Sequence, residues 1–265
     1  MARITCDFFS ESLMVATSMT VVLPQTTEEQ IGLIEPARLA PLAPQSEQPK
    51  GPPVLYLLHG LSDDHSAWTR YTSIERYAAA RGLAVVMPTA GRSFYADEAH
   101  GHRYWEFVSE ELPRVVGQFF RVSQEPADTF VAGLSMGGYG ALKLALTHPE
   151  RYVAAACLSG ALDLVAFAQN PDRDEVMGRV FDHQVRPTDD VFALLEAAAT
   201  IPPLHISCGT EDWLIQSCER FARAAVAAGA DVTTDFRPGE HVWSLWDAVI
   251  QDVIAWLPVT ERSRQ

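Results

Sequence analysis

The stretch FVAGLSMGGYGALKLAL (130–146) places four glycines around a single serine, Ser135. A short apolar run precedes this serine, and a run with helical character follows it. Glycine inside a helix costs about 1 kcal/mol relative to alanine, so this placement requires a structural reason. The pentapeptide GLSMG (133–137) fits the pattern G-x-S-x-G, in which a sharp turn between a strand and a helix exposes a nucleophilic serine.

Such a turn explains the glycines sterically. A strand that turns directly into a helix forces Ser135 into a strained backbone conformation, with its hydroxyl exposed at the carboxyl end of the strand. The chain on the two sides of the serine is then pressed together, so a Cβ atom at Gly133 or Gly137 would clash. Gly138 and Gly140 would let the new helix pack close to the sheet. The segment therefore predicts a nucleophile at Ser135.

On both sides of this turn, apolar runs alternate with helix-like stretches. The runs that are apolar at every position lie at 54–60, 83–88, 129–133, 153–160 and 203–209. The helix-like stretches lie at 73–82, 106–120, 141–148, 218–229 and 243–257. Continuous apolar runs are typical of strands buried on both faces of a parallel sheet. The alternation predicts βαβ units with right-handed crossovers, and the first 24 residues add two further strands.

The chain is expected to form a single domain over residues 1–265. A proline-rich stretch, EPARLAPLAPQSEQPKGPP (35–53), has little periodic hydrophobicity and predicts a loop excursion between early strands. The region 161–202 is longer than a simple crossover between two strands. We expect it to fold as extra helices over one end of the sheet, near the active site.

Composition excludes several classes of partner. The formal net charge of −14 argues against a nucleic-acid or anionic-membrane surface, because both require clustered lysine and arginine. No apolar run approaches the roughly 20 residues of a membrane span, and the N-terminus lacks the pattern of a signal peptide. A cytoplasmic location is therefore expected. The four scattered cysteines predict buried, reduced thiols: Cys6, Cys157, Cys208 and Cys218.

A serine nucleophile requires a base and an acid. After a G-x-S-x-G turn they follow the serine in sequence, the acid first and the base second. Four histidines follow Ser135: His148, His183, His205 and His241. His241 is the predicted base, because it lies in a loop between a strand and the last helix. His148 ends a helix, His183 lies in the 161–202 excursion, and His205 lies inside a predicted strand.

Three carboxylates compete for the role of the acid. Asp212 stands just beyond the strand at 203–209, and Asp163 stands beyond the preceding strand. The loop that carries Asp212 is directed at the histidine loop, which favours this residue. Glu211 is its neighbour in sequence, and residue type alone leaves it as an alternative.

Acyl transfer also requires hydrogen-bond donors for the oxyanion. The predicted donors are the backbone N–H groups of Met136, directly after the nucleophile, and of Leu61, in the loop HGLSDDHSAW (59–68). Two tryptophans lie near the ends of the proposed site. Trp68 follows the oxyanion loop and Trp243 follows the base, so both are predicted to line the substrate pocket.

Together these residues carry a family resemblance. The motifs YLLHGLSDDHSAW, VSEELP, GLSMGGYGALKLAL, GTEDWL and GEHVWSLW resemble the putative-esterase group of α/β-hydrolases. Within that group the chain is most similar to the bacterial tributyrin-esterase type, and S-formylglutathione hydrolase (esterase D) is a relative. The resemblance implies the α/β-hydrolase fold, with a mostly parallel twisted sheet, antiparallel N-terminal strands and helices on both faces.

The resemblance further implies a cytoplasmic carboxylesterase without a cofactor that acts on short-chain acyl esters, with Ser135, Asp212 and His241 as the triad. The expected partner is a small-molecule ester; the sequence leaves a homo-oligomer open. S-formylglutathione hydrolase and acyltransferase activity on the same scaffold are alternatives, although Leu134 stands where those hydrolases carry a histidine. A metal-dependent hydrolase, using DDH (63–65) or HGH (100–102), and a non-catalytic binding module are further alternatives.

Overall fold

An eight-stranded sheet forms the centre of the molecule. The computed structural model describes residues 1–25 and 50–259. The strands are β1 (Ala2–Ser10), β2 (Val15–Leu23), β3 (Val54–Leu58), β4 (Ala84–Pro88), β5 (Thr129–Leu134), β6 (Ala154–Leu158), β7 (Leu204–Gly209) and β8 (Val232–Arg237). Their spatial order is β1-β2-β4-β3-β5-β6-β7-β8. β1 pairs antiparallel with β2, and β2 pairs antiparallel with β4, whereas all other neighbours are parallel.

The predicted sheet architecture is confirmed. Every residue of β3, β4, β6 and β7 is buried, which accounts for apolar runs without polar alternation. Helices cover both faces of the sheet, and a separate apolar cluster lies on each face. Helices α1, α2 and α10 pack on one face, and α4, α5, α7, α8 and α9 pack on the other.

The described helices are α1 (Ala67–Tyr71), α2 (Ile74–Ala80), α3 (Tyr104–Glu106), α4 (Leu112–Phe119), α5 (Met136–Thr147), α6 (Leu164–Phe167), α7 (Asp174–Phe181), α8 (Val191–Ala197), α9 (Ile215–Ala227) and α10 (Trp243–Trp256). A π-helical turn, Phe107–Glu111, joins α3 to α4, so the predicted helix at 106–120 is not continuous. The helix predicted at 141–148 begins earlier, at Met136, because the glycines of the elbow are themselves helical.

The segment 161–202 contains α6, α7 and α8, separated by short 3₁₀ turns. Of the proline-rich excursion at 35–53, residues 35–49 lie outside the described part of the chain. The loop there and the single-domain organisation therefore stay predictions. Within residues 1–25 and 50–259, no helix combines the length and apolarity that crossing a bilayer requires. All four cysteines are free thiols, and Cys157, Cys208 and Cys218 are buried.

A buried ion pair ties the helix after the serine to the segment 161–202. Lys143 of α5 is 2% exposed, and its Nζ donates to Asp189 Oδ1 at 2.7 Å. The same ammonium donates to the carbonyl of Tyr95 at 3.3 Å and lies 4.3 Å above the ring of Trp105. Burial lowers the pKa of Lys143, whereas the charge of Asp189 opposes that shift.

Replacing this lysine is expected to destabilise the fold strongly. Lys143→Ala leaves the buried Asp189 carboxylate paired with the more exposed Arg186, whose Nε donates to it at 2.9 Å. Loss of the buried partner should therefore lower the free energy of unfolding by about 3 kcal/mol, the low end for a broken buried ion pair. Urea denaturation followed by circular dichroism measures the loss. Arg223→Ala is the matched control, because Arg223 pairs with Glu219 on the surface and exposed pairs contribute at most about 1 kcal/mol. Equal losses in the two variants would contradict the structural role of the buried pair.

Candidate active site

Ser135 lies on a strained turn between β5 and α5. Its φ is 54° and its ψ is −117°, a conformation that L-residues adopt rarely and at a cost of about 1–3 kcal/mol. A Cβ at Gly133 would collide with the backbone of Gly137. A Cβ at Gly137 would lie 2.5 Å from the carbonyl oxygen of Leu58. The close approach of β5, α5 and β3 therefore requires glycine at both positions.

Three predicted side chains meet at the carboxyl ends of β5, β7 and β8. His241 Nε2 lies 3.1 Å from Ser135 Oγ, and His241 Nδ1 lies 2.8 Å from Asp212 Oδ2. Because a carboxylate only accepts hydrogen bonds, the neutral imidazole carries its proton on Nδ1, and Nε2 is free to accept from the serine hydroxyl. The Asp212 side chain has no exposed surface, whereas the His241 side chain is 22% exposed.

The Asp212 carboxylate is held ionised by its surroundings. Its Oδ1 accepts the backbone N–H of Leu214 at 2.9 Å, and the Ser159 hydroxyl also bonds to it. Burial acts to raise the pKa of this carboxyl, but the hydrogen bonds and the adjacent His241 outweigh burial and hold the pKa below its usual value. The ionised Asp212 can therefore stabilise the imidazolium that forms when His241 takes a proton.

The competing carboxylates have other partners. Asp163 accepts the N–H of Ala166 at the start of α6 and pairs with Arg220 at 3.0 Å. Glu211 accepts the backbone N–H of Gly239. In return, the Glu211 N–H donates to the Gly239 carbonyl at 3.1 Å, so this residue joins the loop of the acid to the loop of the base.

The other three histidines downstream of the serine lie elsewhere. His148 packs against Trp105 and faces glutamates at the surface. His183 follows α7 and faces Asp174. His205 is 3% exposed inside β7, and its Nδ1 has no hydrogen-bond partner within the described residues.

The loop after β3 passes beside the serine. A Cβ built on Gly60 would lie 3.7 Å from the Cβ of Ser135. His59 fixes this loop, because its Nδ1 bonds to the Gly60 carbonyl at 2.7 Å and its Nε2 accepts the Ala90 N–H at 2.9 Å. Burial lowers the pKa of His59 to about 4, so the imidazole is neutral in this role.

The two predicted oxyanion donors are backbone N–H groups, one at the start of α5 and one in the loop after β3. Met136 is the first residue of α5, where backbone N–H groups lack acceptors within the helix and the helix dipole favours negative charge. The N–H of Leu61 has no acceptor among residues 1–25 and 50–259. Both groups are therefore available to an oxyanion.

The prediction that Trp68 lines the pocket is wrong. Its side chain has no exposed surface, and its Nε1 donates to the Leu58 carbonyl at 3.1 Å, because α1 directs it into the core beside the sheet. Trp243 is half-buried and packs between Trp68 and Tyr71, with centroid distances of 5.3 and 4.9 Å. Its role as a pocket wall stays a prediction. The indoles of Trp246 and Trp213 lie against His241 instead, with centroid distances of 4.8 and 5.6 Å.

Sequence reasoning missed two residues at this site. Ser159 follows β6 with a φ of 47°, and its Oγ accepts the Trp246 Nε1–H at 3.1 Å while bonding to Asp212. Trp213 directly follows Asp212, is 55% exposed, and lies 5.6 Å from the His241 ring. A tryptophan adjacent to the candidate acid is the signal that could have identified the second of these.

The possible metal ligands at 63–65 and 100–102 form no ligand cluster. Asp64 accepts from Ser66, and His65 bonds to Thr20 at 2.7 Å. His100 faces Asp182, and His102 packs against Tyr104. In the part of the chain that the structure describes, no three His, Cys, Asp or Glu side chains form a group that could hold a metal ion.

Known proteins resemble this chain over nearly its full length. The acetyl esterase of Caldicellulosiruptor saccharolyticus is 27% identical over 272 residues, which span 97% of this chain and 98% of that protein. A fluorophosphonate-binding serine hydrolase of Staphylococcus aureus is 31% identical with a TM-score of 0.85, covering 98% of this chain and 99% of the other. The S-formylglutathione hydrolase of Staphylococcus aureus is 32% identical with a TM-score of 0.81, covering 97% and 98%.

The family described as "Putative esterase" matches residues 37–257. This match spans the loop 59–68, the turn at Ser135 and the loops that carry Asp212 and His241. The chain therefore belongs to this esterase family and is a serine hydrolase with the α/β-hydrolase fold.

Proposed function

We propose that this protein is a carboxylesterase that hydrolyses short-chain acyl esters through an acyl-enzyme. Ser135 is the nucleophile, His241 the general base and acid, and Asp212 the residue that orients the imidazole. The observation that carries the proposal is the continuous hydrogen-bond chain from Asp212 through His241 to Ser135. The name of the acetyl esterase relative supports a short acyl group.

In acylation, Ser135 Oγ attacks the ester carbonyl carbon while its proton passes to His241 Nε2. The carbonyl oxygen becomes an oxyanion and accepts hydrogen bonds from the N–H groups of Met136 and Leu61. When the tetrahedral intermediate collapses, the bond between the carbonyl carbon and the leaving oxygen breaks. The imidazolium gives its proton to that oxygen, so an alcohol departs and the acyl group stays on Ser135.

In deacylation, a water molecule takes the place of the alcohol. His241 removes one proton from the water as its oxygen attacks the acyl carbon, and the same two N–H groups bind the second oxyanion. Collapse breaks the bond to Ser135 Oγ, which regains the proton from His241. A carboxylic acid leaves, and the enzyme returns to its starting state.

The rate should peak at short acyl chains. Each methylene that fits the site should gain up to about 0.8 kcal/mol from burial. Once the acyl chain reaches the end of its pocket, overpacking costs about 1–3 kcal/mol and outweighs that gain. In a series of p-nitrophenyl esters, kcat/KM should be highest between acetyl and butyryl and fall steeply before lauroyl.

The walls of the site can be tested in the same assay. Trp243→Ala should move the optimum to longer chains if this indole limits the acyl site. Phe221→Ala serves as the core control, because Phe221 is fully buried in α9 and its ring packs on Phe192. It should destabilise the fold by about 3–5 kcal/mol and leave the optimum in place. A profile that still rises at octanoyl in the unaltered enzyme would refute the short-chain proposal.

Thioester hydrolysis is the second candidate, because a solved S-formylglutathione hydrolase covers this chain almost end to end. Assaying S-formylglutathione beside the p-nitrophenyl esters decides between them by kcat/KM. Adding an alcohol to the same reactions detects acyl transfer, which shares every step up to deacylation and differs in the acceptor. We place the reaction in the cytoplasm, a compartment that suits the four free thiols.

A further inference from the structure

An aromatic platform borders the imidazole of His241. Trp213, which is 55% exposed, lies 5.6 Å from the His241 ring. Phe167 of α6 stacks on Trp213 with a centroid distance of 5.8 Å and an interplanar angle of 23°. An exposed indole stabilised by a second ring offers a flat apolar surface directly beside the base. This surface joins the loop of the acid to the segment 161–202.

A guanidinium lies over the same platform. The Cζ of Arg173 is 5.4 Å from the Trp213 centroid and 5.8 Å from the Phe167 centroid. Among residues 1–25 and 50–259, no carboxylate forms an ion pair with Arg173, although the chain carries a net charge of −14. Its sequence neighbour Asp174 faces His183 instead. The charge of Arg173 is therefore available to a ligand and is held in place by aromatic stacking.

The proton transfer from His241 determines which part of a substrate lies beside Trp213. His241 gives its proton to the leaving oxygen or sulfur, so the leaving group must stand on the imidazole side of Ser135. Trp213 lies against that imidazole. A leaving group that extends past His241 thus meets the indole first and the guanidinium of Arg173 beyond it.

We propose that Trp213, Phe167 and Arg173 form a leaving-group subsite that selects esters whose alcohol or thiol part carries a carboxylate. This inference rests on the proposed function and adds the chemical class of the leaving group to it. The aromatic platform binds the body of the leaving group, and Arg173 binds its carboxylate. A guanidinium matches a carboxylate in charge and in fork geometry, and such bonds are stronger than neutral ones.

Two acetyl esters, one with a free carboxylate and one with that carboxylate methylated, test the subsite when release of the phenol is followed for both. 4-Acetoxybenzoate releases an anionic phenol, whereas methyl 4-acetoxybenzoate releases a neutral one of similar shape. Arg173→Gln should lower kcat/KM for 4-acetoxybenzoate by about tenfold, the effect of losing one charged hydrogen bond, and change it less than about twofold for the methyl ester. Arg223→Gln is the matched control, since it removes the same charge on α9 from a residue paired with Glu219.

A binding measurement separates this inference from the proposed reaction. 4-Hydroxybenzoate should bind the unaltered enzyme more tightly than its methyl ester does, and Arg173→Gln should abolish the difference, as followed by calorimetry. Equal losses for both esters in Arg173→Gln, or a selective loss in Arg223→Gln, would overturn the subsite. If the unaltered enzyme binds 4-hydroxybenzoate through Arg173 yet hydrolyses neither these two esters nor p-nitrophenyl acetate, the subsite stands and the short-chain esterase proposal fails.

Discussion

Ser135→Ala should lower kcat for p-nitrophenyl acetate by at least about 10³-fold while the fold persists. Without the hydroxyl, no acyl-enzyme can form, and His241 has no proton to accept. Alanine suits the strained turn as well as serine does, because both have a single Cβ at a φ of 54°. Steady-state kinetics measure the loss, and circular dichroism measures retention of the fold.

Chemical labelling provides the control for this assignment. An organophosphate should modify Ser135 in the unaltered enzyme and leave the alanine variant unmodified. Ser159 is 1% exposed and accepts the Trp246 indole N–H, so it should stay unlabelled. Peptide mapping that found the label on Ser159 or on Ser62 would remove Ser135 from the mechanism.

Asp212→Asn should cost far more activity than Asp163→Asn. The amide that replaces Asp212 can no longer stabilise the imidazolium, and it favours the wrong tautomer of His241. The corresponding change in a serine protease lowers kcat by about 10⁴-fold, which sets the expected scale. Both variants are compared by kcat at saturating p-nitrophenyl acetate.

Asp163→Asn is a matched control because it also replaces aspartate by asparagine, in the segment that follows β6, the strand beside β7. Asp163 pairs with Arg220 at the surface, a contact that is worth at most about 1 kcal/mol of stability. Its kcat should therefore stay within a few-fold of the unaltered value. Larger loss in Asp163→Asn than in Asp212→Asn would reverse the assignment of the acid.

The elbow and the sheet were predictable because local sequence determines both. Glycines at 133 and 137 are required wherever a strand turns directly into a close-packed helix, and apolar runs without alternation suit buried parallel strands. The convergence of Ser135, Asp212 and His241 also follows from topology. The loops after parallel strands open at one edge of a sheet, so residues far apart in sequence meet there.

The surroundings of the site were not predictable in the same way. Trp68 and Trp213 are both tryptophans next to functional segments, yet one is fully buried and the other is 55% exposed. The direction in which a short helix or loop points its side chain depends on packing with distant elements. For the same reason, the stacking of Arg173 on Trp213 requires the placement of α6 and α7, which no local pattern specifies.

The three side chains of the proposed triad follow β5, β7 and β8, whereas α6, α7 and α8 belong to the connection between β6 and β7. The reacting groups are thus positioned by strand register and by the bonds between Glu211 and Gly239. The helical connection supplies none of them. Descendants of this gene could therefore exchange residues of the connection, or lengthen it, and acquire new substrates without rebuilding the chemistry. Inheritance of the reaction and diversification of its substrates are physically separable in this chain.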